Sequence, residues 1–160
     1  IPDVTMGFNL GINYKNFDFT SYIFASLGNE IVRNYERNDK LTNRSVYLLD
    51  RWTGFNSTND NPRVTTGATS NLLFSDYYVE DGSYARIQNI QFGYTFSDTA
   101  IESLGLDKFR VYASVNNVYT FTDYKGYDPS ASTGDPIGGG IDQGFYPVPR
   151  TYMLGLNIKF

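Results

Sequence analysis

The run from Val4 to Tyr14 constrains the fold more than any other feature of the chain. Val4, Met6, Phe8, Leu10, Ile12 and Tyr14 are apolar, whereas Thr5, Gly7, Asn9, Gly11 and Asn13 are small or polar. An alternation this long without a violation is the mark of a β-strand with two chemically different faces. A tilted strand of about 9–11 residues also suffices to cross the hydrocarbon of a membrane. The final segment repeats the pattern. Tyr152, Leu154, Leu156, Ile158 and Phe160 alternate with Thr151, Met153, Gly155, Asn157 and Lys159, so that Lys159 faces away from lipid.

Three further segments fit the same period. In 17–27, Phe17, Phe19, Ile23, Ala25 and Leu27 share a face, although Tyr22 and Phe24 spoil the other. In 84–96, Ile90, Phe92, Tyr94 and Phe96 share a parity that Ala85 and Ile87 do not, and a β-bulge near Gln88-Asn89 would reconcile the halves. In 109–120, Phe109, Val111, Ala113 and Val115 agree. The expected strands are therefore 4–14, 17–27, 84–96, 109–120 and 151–160. Short and long connections alternate between them, beginning with the two-residue turn Lys15-Asn16. An outer-membrane barrel does this by construction, with short periplasmic turns and long outer loops. Residues 28–83 and 121–150 are thus expected to be extracellular loops, and the chain end is expected on the periplasmic side. Five strands cannot close a barrel, which needs about eight, and an open sheet has two bare edges. Residues 1–160 are accordingly expected to form the C-terminal segment of a larger barrel domain. The opening Ile1-Pro2, with no signal peptide, agrees with a piece of a longer protein.

Composition supports an all-β fold and removes several functions. Aromatics make up 17% of residues, with 14 Tyr and 12 Phe, types that suit strands and membrane interfaces. Mean hydropathy is −0.37, but a barrel strand's average conceals its lipid-facing half. The net charge of −4 and scattered Lys and Arg give no footprint for nucleic acid. With no Cys and no His, thiol nucleophiles, disulfides, Cys/His zinc sites and His-based triads are all excluded. No acid–base pair sits at a recognisable spacing, so no catalytic residue is expected and the chain is not read as an enzyme.

The loops hold the other candidates. Leu41–Trp52 suits a short helix with Val46, Leu48, Leu49 and Trp52 on its apolar face. Thr99–Leu104 suits another, capped by Ser97 or Asp98 and ended at Gly105. Asp123, Asp128, Asp135 and Asp142 raise the idea of calcium, but their spacing fits no EF-hand and solvated turns explain them, so no metal or cofactor is expected. Trp52, Tyr124, Tyr127 and Tyr146 are candidates for contact with a ligand or lid, since flat rings pack on sugar faces. Packing of the loops on one another, or an interfacial girdle, is the favoured account of them.

Several of these stretches resemble one family. Tyr78-Val79-Glu80-Asp81-Gly82-Ser83-Tyr84-Ala85-Arg86-Ile87-Gln88-Asn89-Ile90, continuing to Gly93-Tyr94, resembles the C-terminal signature of SusC/RagA-type TonB-linked outer-membrane proteins of the Bacteroidetes. So does Arg110-Val111-Tyr112-Ala113-Ser114-Val115-Asn116-Asn117. Lys125-Gly126-Tyr127-Asp128-Pro129 resembles the family's exit from the penultimate strand, and Tyr146-Pro147-Val148-Pro149-Arg150-Thr151-Tyr152 its entry into the last. Ile1-Pro2-Asp3, Arg51-Trp52-Thr53 and Asn61-Pro62-Arg63 fit in the same order.

The resemblance implies a transmembrane antiparallel β-barrel of about 22 strands around an N-terminal plug, with this chain supplying the last five. It implies an importer of glycans or peptides in the bacterial outer membrane, working with a SusD-like surface lipoprotein and powered by TonB through a plug that lies outside these residues. Gly155, Ile158 and Phe160 resemble the C-terminal signal read by the barrel-insertion machinery, although an ordinary closing strand would look similar. Two other readings use the same residues: a SusC-like subunit of a secretion or surface-assembly complex, and a soluble β-sandwich carbohydrate-binding module.

Overall fold

The unbroken alternation of Val4–Tyr14 becomes the edge strand of an antiparallel sheet in the computed structural model, which describes residues 1–36, 43–65, 67, 69–102, 105–130 and 138–160. In chain order the strands are β1 (Val4–Tyr14), β2 (Phe17–Leu27), β3 (Glu30–Arg33), β4 (Val79–Asp81), β5 (Tyr84–Thr95), β6 (Lys108–Thr122), β7 (Ile141–Asp142) and β8 (Thr151–Lys159). The long strands form one sheet in the order β1-β2-β5-β6-β8, every pair antiparallel. The short ones form a second sheet, β4-β3-β7, inside the two long loops.

Register partners share a face, so the pairing sorts the side chains. Phe8 opposes Ile23, Phe19 opposes Phe92, Phe92 opposes Ala113, and Ala113 opposes Leu154. The opposite face carries Thr20, Gln91 and Ser114 in one row, and Asn89 beside Asn116 in another, the last two joined at 2.7 Å. The apolar face is uncovered: Phe8, Leu10, Phe92, Leu154 and Leu156 are all exposed. Buried hydrophobic residues among those described are only Ile31, Ile101 and Tyr124, and none lies in the large sheet's strands. A β-sandwich packs a second sheet on such an apolar face, and no strand among the described residues lies on this one.

Parity breaks at the level of Gln88. Ile23 pairs with Ile87 but Tyr22 with Asn89, which leaves Gln88 as the extra residue. Across the next ladder Ile87 faces Tyr119 and Asn89 faces Asn116, with Asn117 at φ +53° taking up a further residue. Each strand thus gains one residue on its predecessor, and the apolar face continues past the step through Tyr119 and Phe121. β6 runs to Thr122 rather than the expected 120, because β5 above the bulge supplies partners up to Tyr84↔Thr122. β5 closes at Thr95, and Phe96 bonds onward through its N–H to the Phe109 carbonyl at 2.9 Å.

Tyr22 and Phe24, the two violators of β2, belong to the polar face. Tyr22 covers Gly7, its hydroxyl 3.1 Å from where a Cβ would stand, and Phe24 packs on Tyr84 with centroids 6.1 Å apart. Two other glycines admit side chains from neighbouring strands. Arg110 on β6 reaches over Gly93 of β5 to Asp18 of β2, with Nε–Oδ1 at 2.9 Å and Nη2–Oδ2 at 2.5 Å. Tyr112, whose ring lies 4.9 Å from the Arg110 guanidinium, lays over Gly155 of β8. One polar strap therefore crosses β2, β5, β6 and β8. A Cβ at Gly155 would collide with the Tyr112 ring. We expect Gly155→Val to lower stability by about 1–3 kcal/mol through overpacking, and Tyr112→Ala to recover part of it. Thermal unfolding of the full-length protein checks this; equal losses with and without Tyr112 would refute the contact.

The helical expectations are corrected in part. The described part of 41–52 holds a single 3-10 turn, Val46–Asp50, with Val46 and Leu49 exposed instead of sharing a buried face; Leu41 lies outside the described residues. The turn after β5 holds α1 (Asp98–Ile101), one turn long. It buries Ile101, and Ser97 occupies the N-cap position without a side-chain cap bond. Gly105 at φ +66° closes it, with its N–H on the Glu102 carbonyl at 3.1 Å; Ser103 and Leu104 lie outside the described residues.

Candidate functional site

The two long loops fold onto each other. β3 leaves the barrel-type sheet directly after β2 and pairs antiparallel with β4 from the far end of its own loop. On its other side it pairs in parallel with β7 from the second loop, Val32 opposing Ile141 and Arg33 opposing Asp142. The Val32 N–H also donates to the Gly140 carbonyl at 2.7 Å, and the Asn34 N–H to the Asp142 carbonyl at 2.8 Å.

Buried charge holds this module. Arg33 is almost fully buried, with Nε 2.7 Å from Glu36 Oε1, Nη1 on Glu80, and its guanidinium over the rings of Tyr77 and Tyr78 at 5.0 and 5.9 Å. Glu80 also accepts the Lys125 N–H at 3.0 Å, which ties the second loop to β4. Burial pushes the Glu36 carboxyl up, with Arg33 opposing it. Tyr124 donates its hydroxyl to Asp142 Oδ2 at 2.6 Å; burial first, and that bond second, push its pKa up.

A second group anchors the module to the wall. Arg86 of β5, on the polar face, donates to Asp128 at 2.6 Å, to Ser130 Oγ at 2.9 Å and to Thr120 Oγ1 at 2.7 Å. Asp128 accepts in addition the Ser130 N–H at 2.9 Å, the Ser130 hydroxyl at 2.7 Å and the Val148 N–H at 3.0 Å. One carboxylate therefore joins both ends of the second loop to the polar face of the sheet. Burial works against its charge, yet the bonds from Ser130, Val148 and Arg86 hold its pKa below the usual aspartate value. A depressed carboxyl contributes stability that is present above its unfolded-state pKa and lost as pH falls through the folded one. We expect loop 121–150 to stay protease-resistant at mildly acidic pH and to open only below the ordinary aspartate range. Limited proteolysis along a pH series reads this, and Asp128→Asn should abolish the dependence.

These contacts place the sequence-derived candidates. Tyr124 is 6% exposed and serves the packing of the loops, whereas Tyr127 is 69% and Tyr146 89% exposed. Tyr127 packs against Tyr35, with ring centroids 5.9 Å apart at 44°. Trp52 is exposed, and its backbone N–H donates to the Asn61 carbonyl at 3.0 Å. The Asn61 side chain in turn meets the Asp50 carbonyl and the Tyr77 hydroxyl at 3.0 and 3.2 Å. The clefts that Tyr127 lines beside Tyr35 and beside Arg86 do not include Trp52. Asp128 and Asp142 sit in separate networks, each carboxylate occupied by its own chain, Asp135 lies outside the described residues, and no cluster of metal-ligating side chains occurs among those described. Sequence reasoning missed Arg33, Tyr35, Glu80 and Arg86 as site-builders. The signal was nonetheless present, since Glu80 and Arg86 stand in one quoted stretch and Lys125 and Asp128 in another, and these are the partners found here.

No family model matches the chain. It is 39% identical over 168 residues to TonB-dependent receptor P3 of Formosa agariphila, covering 99% of this chain and 16% of that protein. It is 32% identical over 162 residues to TonB-dependent receptor SusC of Bacteroides thetaiotaomicron, covering 99% of this chain and 15% of that protein. Over its whole length the chain is similar to SusC-type TonB-dependent receptors. Its structure superposes on the RagAB peptide importer in the open-open state with a TM-score of 0.80 at 26% identity, over 100% of this chain and 17% of that one. The closed-closed state of that importer gives the same TM-score, identity and coverage. The five-stranded sheet is a stretch of outer-membrane barrel wall, and its apolar row through Phe92 and Leu154 is exposed. The chain spans only about a sixth of the receptors it matches.

Proposed function

We propose that these residues form the last five strands of a SusC-type barrel of about 22 strands, which imports glycans or peptides with a SusD-like lipoprotein and TonB. One observation carries the reading: a wall with an apolar outer row and a polar inner row, capped on the inner side by loops anchored through Arg86 and Asp128. The relatives named for receptor and import roles support the same reading. The chain contributes wall and mouth rather than catalysis, and the exposed rings of Trp52, Tyr127 and Tyr146 are its candidates for ligand or lid contact.

The full-length receptor, expressed in its host, should co-purify with a surface lipoprotein and support uptake that disappears when TonB is deleted. Co-purification with secretion proteins and no TonB-dependent uptake would overturn the proposal in favour of an assembly role. Gly155, Ile158 and Phe160 are proposed to act also in barrel assembly. Gly155 has a packing reason of its own beneath Tyr112, so Phe160 is the discriminating residue. Deleting Phe160 should cut outer-membrane receptor several-fold in a fractionation experiment; normal levels would leave the strand and remove the signal.

A further inference from the structure

We infer that Phe55, at the tip of a closed loop between Trp52 and Asn61, is an anchor that docks into an apolar pocket of the surface lipoprotein; this rests on the import reading above and adds a contact residue to it. The ring is 96% exposed. A lone exposed apolar residue is ordinary, and what sets this one apart is how it is held. The Ser57 N–H donates to the Gly54 carbonyl at 3.2 Å and Asn56 stands at φ +63°, the pattern of a type II turn with Phe55 in its second position. The Ser57 hydroxyl donates to the same carbonyl at 2.7 Å and accepts the Thr53 and Gly54 N–H groups at 3.0 and 3.3 Å. One serine thus closes the turn that carries the ring.

The base of the loop is tied down as well. The backbone N–H of Trp52 meets the Asn61 carbonyl at 3.0 Å, which brings the two ends together as in an Ω-loop. The Asn61 side chain bonds to the Asp50 carbonyl and to the Tyr77 hydroxyl at 3.0 and 3.2 Å. The Tyr77 ring lies 5.0 Å from the buried Arg33 guanidinium, so the loop stands on the same core that joins β3 to β4. An aromatic group held this way has little backbone freedom left to lose on binding, and that raises the affinity a single side chain can contribute.

Chemistry chooses the occupant. From Trp52 to Asn59 the sequence carries no charge, in a chain where 19% of residues are charged. An exposed aromatic within an uncharged polar stretch has the composition of the centre of a protein–protein contact, where charge is depleted and aromatic anchors fill pockets. A sugar fits less well, because the two hydroxyls that follow the ring in sequence, those of Ser57 and Thr58, are spent on Gly54 and Asp60 within the loop. Lipid fits less well too, since the loop module is anchored through Arg86 and Asp128 to the polar face, opposite the exposed apolar row.

The test immobilises the detergent-solubilised full-length receptor and measures, by biolayer interferometry, its binding of the lipoprotein that co-purifies with it. Phe55→Ala is expected to weaken binding about tenfold or more, mostly through faster dissociation, and Phe55→Leu to weaken it less. Ser57→Ala, which loosens the turn and keeps the ring, should cost about threefold. Val46→Ala, at a residue 78% exposed in the same long loop, should change nothing. A second measurement does not depend on lost affinity: Phe55→p-benzoylphenylalanine, irradiated on intact cells, should give an adduct with the lipoprotein. Unchanged affinity in Phe55→Ala, no adduct, or an adduct with glycan, lipopolysaccharide or a second receptor would overturn the anchor. If the unsubstituted receptor still binds its lipoprotein and imports in a TonB-dependent manner, the anchor alone is refuted. If it binds no lipoprotein, the import reading fails and the anchor falls with it.

Discussion

Arg86→Ala is expected to release loop 121–150 from the inner wall and to cost about 3–5 kcal/mol, the usual penalty for removing one partner of a buried ion pair. The reason is geometric. Arg86 spends its donors on Thr120, Ser130 and Asp128, and its loss leaves the Asp128 carboxylate buried with only Ser130 and Val148 as donors. Asp128→Asn should be milder, because the amide oxygen still accepts while the charge is gone. The double variant Arg86→Met with Asp128→Leu should recover part of the loss, since apolar groups of similar volume leave nothing unpaired. Proteolytic nicking within 121–150 and thermal unfolding of the full-length receptor report both effects. An Arg86→Ala receptor with an intact, protease-resistant loop would show that the β3–β7 ladder and the Lys125–Glu80 bond suffice to hold the second loop.

The other large effect lies on the opposite face of the sheet. Phe92→Lys places a charge among Phe19, Ala113 and their apolar neighbours, and the cost near a bilayer midplane is about 2–4 kcal/mol. Gln91→Lys, one residue away, directs the same side chain to the polar face beside Thr20 and Ser114, where the cost should be close to zero. The comparison holds strand, depth and residue type nearly constant and changes only the facing. Folded receptor recovered from the outer membrane is the measure. Equal recovery of the two variants would contradict the assignment of faces.

Much of the wall was legible in the sequence, because a strand bathed by lipid on one side has no choice about its parity. Val4–Tyr14 and Tyr152–Ile158 show it without error, and the flip between Ile87 and Ile90 located the bulge at Gln88. Tyr22 and Phe24 looked like violations because a glycine's role is visible only across the ladder, where Gly7 leaves room for Tyr22. The loop module was not legible. β3, β4 and β7 have four, three and two residues, too few to display any period. Arg33 meets Glu80 across 47 residues of sequence, and no local pattern announces such a pair. Tyr127 could be named as a candidate, but its partner Tyr35 became apparent only once β3 had been placed beside β7.

The parallel pairing of β3 with β7 also fixes an order of events. Val32 and Ile141 lie on loops that leave the wall from different hairpins, with β5 and β6 between them in the chain. Loop-closure entropy defers a contact of that separation until the intervening strands are in register. The β3–β7 ladder is therefore knitted last, after both hairpins are in register. A chain stalled before that point would keep the two loops apart, so the β3–β7 ladder serves as a seal of completed folding.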